Sequence, residues 1–185
     1  MDTELVKRAQ QGDERAFEAL VLGGHPRLFR IAFGILRDVE AAEDAVQRAC
    51  LEAWRSLPRL SDRSHYEAWA TRFLIAACRA AAAESTSEDT LPVDDTFDPE
   101  RPDPFGLFID RDQISRGFRQ LSFDDRTILV LRYLAGMDEA QAGIALDIKP
   151  TAAGARTASA LATLGSALDG DRDPEGELEP QMEGA

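Results

Sequence analysis

Apolar residues in this chain recur at helical spacing and nowhere alternate with period two over a strand length. That confines it to all-α architectures, because a half-buried strand needs an apolar side chain at every second position. Leu5, Val6 and Ala9 lead to Gly12, a helix-stop residue, and Asp13 caps a second run carrying Phe17, Leu20 and Val21. Gly23-Gly24-His25-Pro26 is expected to break that run before Leu28, Ile31, Ala32, Ile35 and Leu36 restart the pattern. Asp38 closes it and caps the next helix, from Glu40 to Leu57. Ser64-His65-Tyr66-Glu67 reads as a capping box for a helix holding Trp69, Phe73 and Ala77.

Charge divides the 185 residues into four parts. Residues 1–83 hold 12 basic and 12 acidic side chains, 84–112 hold 2 and 10, 113–168 hold 6 and 5, and 169–185 hold 1 and 7. The net charge of −13 therefore sits in two segments without apolar periodicity, the first punctuated by Pro92, Pro99, Pro102 and Pro104. Such a composition makes an extended, self-repelling tether. The expected organisation is two small helical domains, 1–84 and 113–168, that fold separately around a flexible acidic linker, 85–112, with a disordered acidic tail at 169–185.

In the second domain the helical pattern returns at Ile114 to Leu121, and Ser122 with Asp125 makes a capping box before Ile128, Leu129, Leu131 and Leu134. Gly136 ends that helix. Asp138 with Gln141 opens a short one, Glu139 to Leu146, and after Asp147-Ile148-Lys149-Pro150 a final helix runs from Thr151 to Leu168. Short helix, four-residue turn and longer helix is the outline of a helix-turn-helix, although any small helical bundle contains such corners.

Several function classes are excluded on chemistry. His25 and His65 have no partners at metal-ligand spacing, and Cys50 and Cys78 fall inside helical patterns as small core residues. Asp94-Asp95 lies in the linker, which would not hold two carboxylates in fixed geometry, and no Walker or Rossmann glycine motif is present. No enzyme, metal site or cofactor is expected. The longest weakly polar run, Phe73 to Ala83, is interrupted by Arg79 and is about half the length of a membrane span. Met1-Asp2-Thr3-Glu4 lacks the positive and apolar regions of a signal peptide. A cytoplasmic protein with reduced cysteines and no membrane insertion is expected. Neither folded block is basic, which argues against strong autonomous nucleic-acid binding, since Lys and Arg contacts to phosphate supply most non-specific affinity.

Three helix faces have the chemistry of a contact surface. From Glu40 to Leu57, Ala42, Val46, Ala49, Cys50, Ala53 and Leu57 make the core side, and Asp44, Gln47, Arg48, Leu51 and Arg55 the opposite one. A leucine centred on a polar face is commonly a stray surface residue; it is also the pattern of a partner-binding ridge, an apolar centre ringed by hydrogen-bonding groups. On the next helix Tyr66, Ala70, Phe73, Leu74, Ala77 and Ala81 point inward, Arg72, Ile75, Ala76, Arg79 and Ala83 outward, and Trp69 sits at the border. An exposed aromatic beside two arginines suits the bases and phosphates of an opened strand, whereas a Trp closing the core edge with solvated arginines gives the same pattern. In the final helix Thr157, Leu161, Leu164 and Leu168 form the expected core stripe, and Ala152, Arg156, Ser159 and Thr163 the outer one.

The motifs together resemble one family. Leu5-Val6-Lys7-Arg8-Ala9-Gln10-Gln11-Gly12-Asp13 followed by Ala16-Phe17-Glu18-Ala19-Leu20 is similar to the opening of the extracytoplasmic-function (ECF) sigma factors of bacterial RNA polymerase. Ala42-Glu43-Asp44-Ala45-Val46-Gln47 through Ala53-Trp54-Arg55-Ser56-Leu57-Pro58 resembles their polymerase-clamp helix, and Leu121-Ser122-Phe123-Asp124-Asp125-Arg126 with Val130-Leu131-Arg132-Tyr133-Leu134 resembles the start of their second domain. The resemblance spans 1–83 and 113–168. It implies a factor that docks on the clamp and flap of core RNA polymerase and melts and reads the minus-ten element with its first domain. The second domain would read the minus-35 element, and an anti-sigma protein would be a further partner. By resemblance, Asp44, Gln47, Arg48 and Leu51 face polymerase, Trp69, Arg72 and Arg79 lie on the minus-ten side, and Lys149, Thr151, Ala152 and Arg156 begin the recognition helix.

The chain also departs from the family pattern at DNA-facing positions. Where the family carries Asn, Asp and a run of arginines after its Arg72 equivalent, this chain has Ala76, Ala80 and Ala81-Ala82-Ala83-Glu84. Where the family's last helix carries Lys and several Arg, Gly154, Ser159, Leu161, Thr163 and Gly165 stand, leaving Arg156. Each lost phosphate contact lowers affinity and salt dependence. Two readings follow: a sigma factor to which polymerase lends most of the affinity, and a sigma-shaped interaction module that binds an anti-sigma protein or polymerase without reading promoter DNA.

Overall fold

The computed structural model describes residues 3–87, 117, 118 and 120–170, and no strand occurs among the described residues. The linker assigned to 85–112 lies outside them beyond Ser87, as does the tail beyond Gly170. Seven α-helices among the described residues carry the fold: α1 (Thr3–Gln10), α2 (Glu14–Leu36), α3 (Val39–Ser56), α4 (Tyr66–Ser87), α5 (Phe123–Leu129), α6 (Glu139–Leu146) and α7 (Pro150–Gly170). Short 3-10 turns, Leu57–Arg59 and Arg63–His65, join α3 to α4, and α5 runs on into a π-helical turn, Val130–Leu134.

Caps at the helix ends follow from local chemistry. Gly12 adopts φ +90 between α1 and α2, and the Asp13 carboxylate then accepts from the Ala16 amide at 3.1 Å. Asp38 does the same for α3 through Ala41 at 2.7 Å. Asp138 and Gln141 form the full reciprocal box at the start of α6. The cap before α4 differs from expectation. Asp62, not Ser64, is the acceptor, taking the Ser64 amide at 2.9 Å and the Ser64 hydroxyl at 2.6 Å, and the chain makes a 3-10 turn before α4 begins at Tyr66. A carboxylate two residues upstream outcompetes a hydroxyl as acceptor.

The expected break at Gly23-Gly24-His25-Pro26 is absent: α2 is one helix of 23 residues with Pro26 inside it. An interior proline costs about 3 kcal/mol. Packing at both ends offsets that cost, because Ala16 and Leu20 are buried in one apolar cluster and Phe29, Ile31, Ala32 and Ile35 in another. By length and composition α2 is also apolar enough to cross a membrane, yet Ala16, Leu20, Phe29, Ile31, Ala32 and Ile35 are buried in the two clusters, while Leu22 is exposed.

The smaller cluster gathers Val6, Ala9, Leu57, Leu60, Tyr66 and Ala70 around the first half of α2. The larger runs through both helical blocks. Leu74, Ile75 and Cys78 of α4 belong to it together with Leu129, Leu131, Ala142 and Ala145. The two blocks therefore share a core where separate cores were expected, with α4 packed along α6 and α2 against the π-helical turn. Arg126 ties the seam, donating from Nη1 to the Ile35 carbonyl at 2.9 Å and from Nη2 to the Leu121 carbonyl at 3.2 Å. Its guanidinium thus meets the negative end of the α2 dipole. Burial, with Arg37 nearby, pushes the Arg126 guanidinium below its ordinary pKa.

Candidate functional site

The first candidate surface is the solvent side of α3. Asp44, Gln47, Arg48 and Leu51 are all exposed and follow one another at helical spacing, while Ala42, Ala45, Val46, Ala49 and Ala53 are buried on the far side. Leu51 is 58% exposed amid these polar groups. Arg48 lies 3.8 Å from Glu84 at the end of α4, and Arg55 donates to Glu52 at 2.7 Å. The ridge is a rigid helical scaffold for an apolar anchor with polar groups on either side.

The second surface is on α4, and there the packing redistributes the expected roles. Trp69 is half-buried, edge-on to Phe73 at 4.9 Å and tilted against Tyr66 at 5.9 Å, so it closes the edge of the core. Ile75, expected to point outward, is 5% exposed. The second block covers it. Arg72 and Arg79 flank Ile75 and reach the same block: Arg72 lies 3.7 Å from Asp147, and Arg79 donates to Asp124 at 2.6 Å with its guanidinium 4.6 Å from the centre of the Phe123 ring. The structure brings Arg72 and Arg79 to one seam and leaves Trp69 with the aromatic edge of the smaller cluster.

The third surface is the α6–turn–α7 unit. Gly143 lets α6 approach the turn closely, for a Cβ there would stand 2.8 Å from the Ile148 carbonyl oxygen. Asp147 takes the left-handed conformation at φ 58, and the Ile148 amide returns to the Gly143 carbonyl at 2.9 Å. Lys149, Thr151 and Ala152 are exposed at the start of α7, and Arg156 is half-buried. The core stripe of α7 is Ala153, Thr157, Ala160 and Leu164, and Leu161 is 42% exposed where it was expected inside. Position 161 stands about 100° round the helix from Ala160, at the edge of that stripe. A Cβ on Gly154 would stand 2.9 Å from the Glu139 carboxylate. That acid on the expected DNA side was missed in the sequence because helical periodicity relates residues along one helix, not across the turn.

Among the described residues no cluster of three His, Cys, Asp or Glu side chains is arranged to hold a metal ion. His65 Nδ1 is taken by Asp62 at 2.9 Å, and the Ser64 and His65 bonds hold the Asp62 carboxyl below its usual pKa. Burial raises the Cys50 thiol and pushes Cys78 up to about 12, so neither is poised as a nucleophile.

Known proteins resemble this chain in sequence and in fold. Residues 20–85 match the Sigma-70 region 2 family. The chain is 30% identical to the RNA polymerase sigma-H factor of Pseudomonas aeruginosa in a match covering 74% of this chain and 77% of that one. It is also 30% identical to the ECF RNA polymerase sigma factor SigM of Mycobacterium tuberculosis, over 52% of this chain and 49% of the relative. In fold it is similar to CnrH solved in complex with the cytosolic domain of CnrY, with a TM-score of 0.66, 22% identity and coverage of 92% of this chain and 98% of that one. It is likewise similar to the sigma factor RpoE of Bartonella quintana solved with the anti-sigma factor NepR, with a TM-score of 0.62, 21% identity and coverage of 84% and 98%.

Proposed function

The chain belongs to the extracytoplasmic-function sigma factors, and from that premise we propose that it binds core RNA polymerase and directs promoter recognition and transcription initiation. The observation that carries the reading is the α3 ridge: Leu51, 58% exposed, centred among Asp44, Gln47 and Arg48. Burying one leucine against a partner is worth about 1.5–3 kcal/mol, enough to make it an anchor. In this reading the ridge takes the polymerase clamp and the second block the flap. Polymerase lends the affinity for promoter DNA that two nearly neutral blocks lack. Arg72 and Arg79 take the minus-ten strand with Trp69 fixing their helix, and Lys149, Thr151, Ala152 and Arg156 face the minus-35 element. No catalytic step is assigned to the chain, and work with core polymerase places it in the cytoplasm.

The experiment is a titration of core polymerase with Leu51→Asp. The variant should keep the helical circular dichroism and melting of the parent and bind at least tenfold more weakly, about 1.4 kcal/mol. Parent-like binding would remove the ridge assignment.

A second reading, a sigma-shaped module that binds an anti-sigma protein or polymerase without reading promoters, is favoured by the Glu139 carboxylate against Gly154 and by the thin supply of cations on α7. Both CnrH and RpoE were solved with protein partners, which supports an anti-sigma partner here. In vitro transcription separates the two readings. Promoter-dependent transcripts from core polymerase plus this chain establish the first, and their absence on the promoter of its own operon favours the second.

A further inference from the structure

Two carboxylates of the second block hold the arginines that the proposed function gives to the opened strand. Arg79 Nη2 donates to Asp124 Oδ1 at 2.6 Å, and Arg72 Nη1 lies 3.7 Å from Asp147 Oδ1. We propose that the second block is an internal competitor for nucleic acid, its Asp124 and Asp147 occupying the guanidiniums that would otherwise take the phosphates of a single strand. Closure of the blocks and strand binding on α4 then exclude each other. The inference rests on the strand-binding reading of α4.

Both carboxylates stand at helix ends. Asp124 stands in the first turn of α5, where the helix dipole favours a negative charge. Asp147 is the left-handed cap of α6, in the turn of the helix-turn-helix. Arg72 and Arg79 are seven residues, two helical turns, apart on α4, and Ile75 is sealed between them. A strand tracking α4 therefore has to displace both carboxylates, and with them the Phe123 ring stacked on Arg79.

The ion pairs are weak enough to yield. Side-chain exposures of 51% and 78% for Arg72 and Asp147, and of 55% and 46% for Arg79 and Asp124, leave both pairs screened by water and salt. The apolar seam holds the blocks together, and the ion pairs decide which anion the arginines see. Leu51 and the start of α7 remain exposed in the closed arrangement. Polymerase docking at the ridge thus does not require prior opening, whereas strand capture does.

The test is fluorescence anisotropy of the full chain with a labelled random-sequence single strand of roughly 12 nucleotides at low salt. Asp124→Asn with Asp147→Asn should tighten binding about threefold to tenfold, each single variant giving part of the gain, and adding Arg72→Ala and Arg79→Ala should abolish it. Glu18→Gln with Glu43→Gln makes the same change in net charge away from the seam and should leave binding unchanged. Binding by the Asn variants no tighter than by this control overturns the proposal. In that event, weakening of the parent by Arg72→Ala and Arg79→Ala means that only the competition fails. No effect of the arginine changes in any background means that the strand-binding reading of α4 fails with it.

Discussion

A Cβ placed on Gly34 would stand 3.1 Å from Cγ2 of Val130, a residue 96 positions later. The same Cβ would be 3.0 Å from Leu134 Cδ2, so α2 meets the π-helical turn of the second block through the bare backbone of one glycine. Val130 is buried, and its branched side chain has little rotamer freedom with which to retreat. Gly34→Ala gains up to about 1 kcal/mol of helix propensity and loses about 1–3 kcal/mol to overpacking, for a net destabilisation of about 1 kcal/mol. At Gly165 in α7 an added Cβ would meet nothing within 4 Å. Gly165→Ala should therefore stabilise by about 0.5–1 kcal/mol. Urea unfolding of both variants checks the pair, and equal effects of one sign would mean that the seam is not tight at Gly34.

The capping of α2 predicts acid sensitivity. Arg8 donates to the Asp13 carboxylate at 2.6 Å and 2.9 Å, and with the Ala16 amide this holds the Asp13 carboxyl below 3.8. A carboxyl depressed in the folded state stabilises fully above its unfolded value and loses that contribution as pH falls through the folded one. Asp62 behaves alike. Asp13→Asn keeps a cap acceptor without a titrating group, so its melting temperature should fall less between neutral pH and pH 3 than that of the parent. Parallel acid profiles would remove Asp13 from the account.

Two buried groups predict the opposite edge of the pH range. Burial raises the Cys78 thiol from 9.0 and the Tyr66 phenol from 10.0, each to about 12. Their contribution is whole below the unfolded values and drains away as pH rises toward the folded ones, so stability should decline from about pH 9 upward. Cys78→Ala should flatten part of that decline while costing about 1 kcal/mol at neutral pH. Denaturant midpoints at neutral and alkaline pH read both effects. A decline of unchanged slope in the variant would assign it to other groups.

The all-α class, most caps and the exposed α3 stripe were legible because they depend on residues within one or two turns of each other. The exposed stripe of Asp44, Gln47, Arg48 and Leu51 needs only helical spacing and a buried opposite face. Ile75 and Leu161 lie on the side opposite to expectation for a shared reason. In each case the neighbouring element, rather than the helix's own periodicity, decides which flank is covered, and α4 packs on both α3 and α6. The Arg79–Asp124 pair joins residues 45 positions apart across the acidic segment, and no local pattern relates them. Continuity of α2 through Pro26 was hidden likewise, since it rests on burial at both ends of the helix.

Between Thr151 and Leu168, α7 carries Arg156 as its basic side chain. Ser159 and Thr163 are exposed and share a stripe with Arg156, whereas a longer side chain at Gly154 would run into the Glu139 carboxylate and be neutralised by it. The native chain, with two nearly neutral blocks, should bind duplex DNA no better than about 10⁻⁴ M at physiological salt. Ser159→Arg with Thr163→Arg adds two phosphate contacts, which should tighten duplex binding and steepen its salt dependence by about 0.9 per contact. Gly154→Lys should add little in that background until Glu139→Gln removes the opposing charge, and should then add about one further contact. Anisotropy titrations across a salt series measure each slope. If Gly154→Lys proves as effective with Glu139 present as without it, the carboxylate does not guard that face; if neither arginine steepens the slope, the outer stripe of α7 is not where this protein meets duplex DNA.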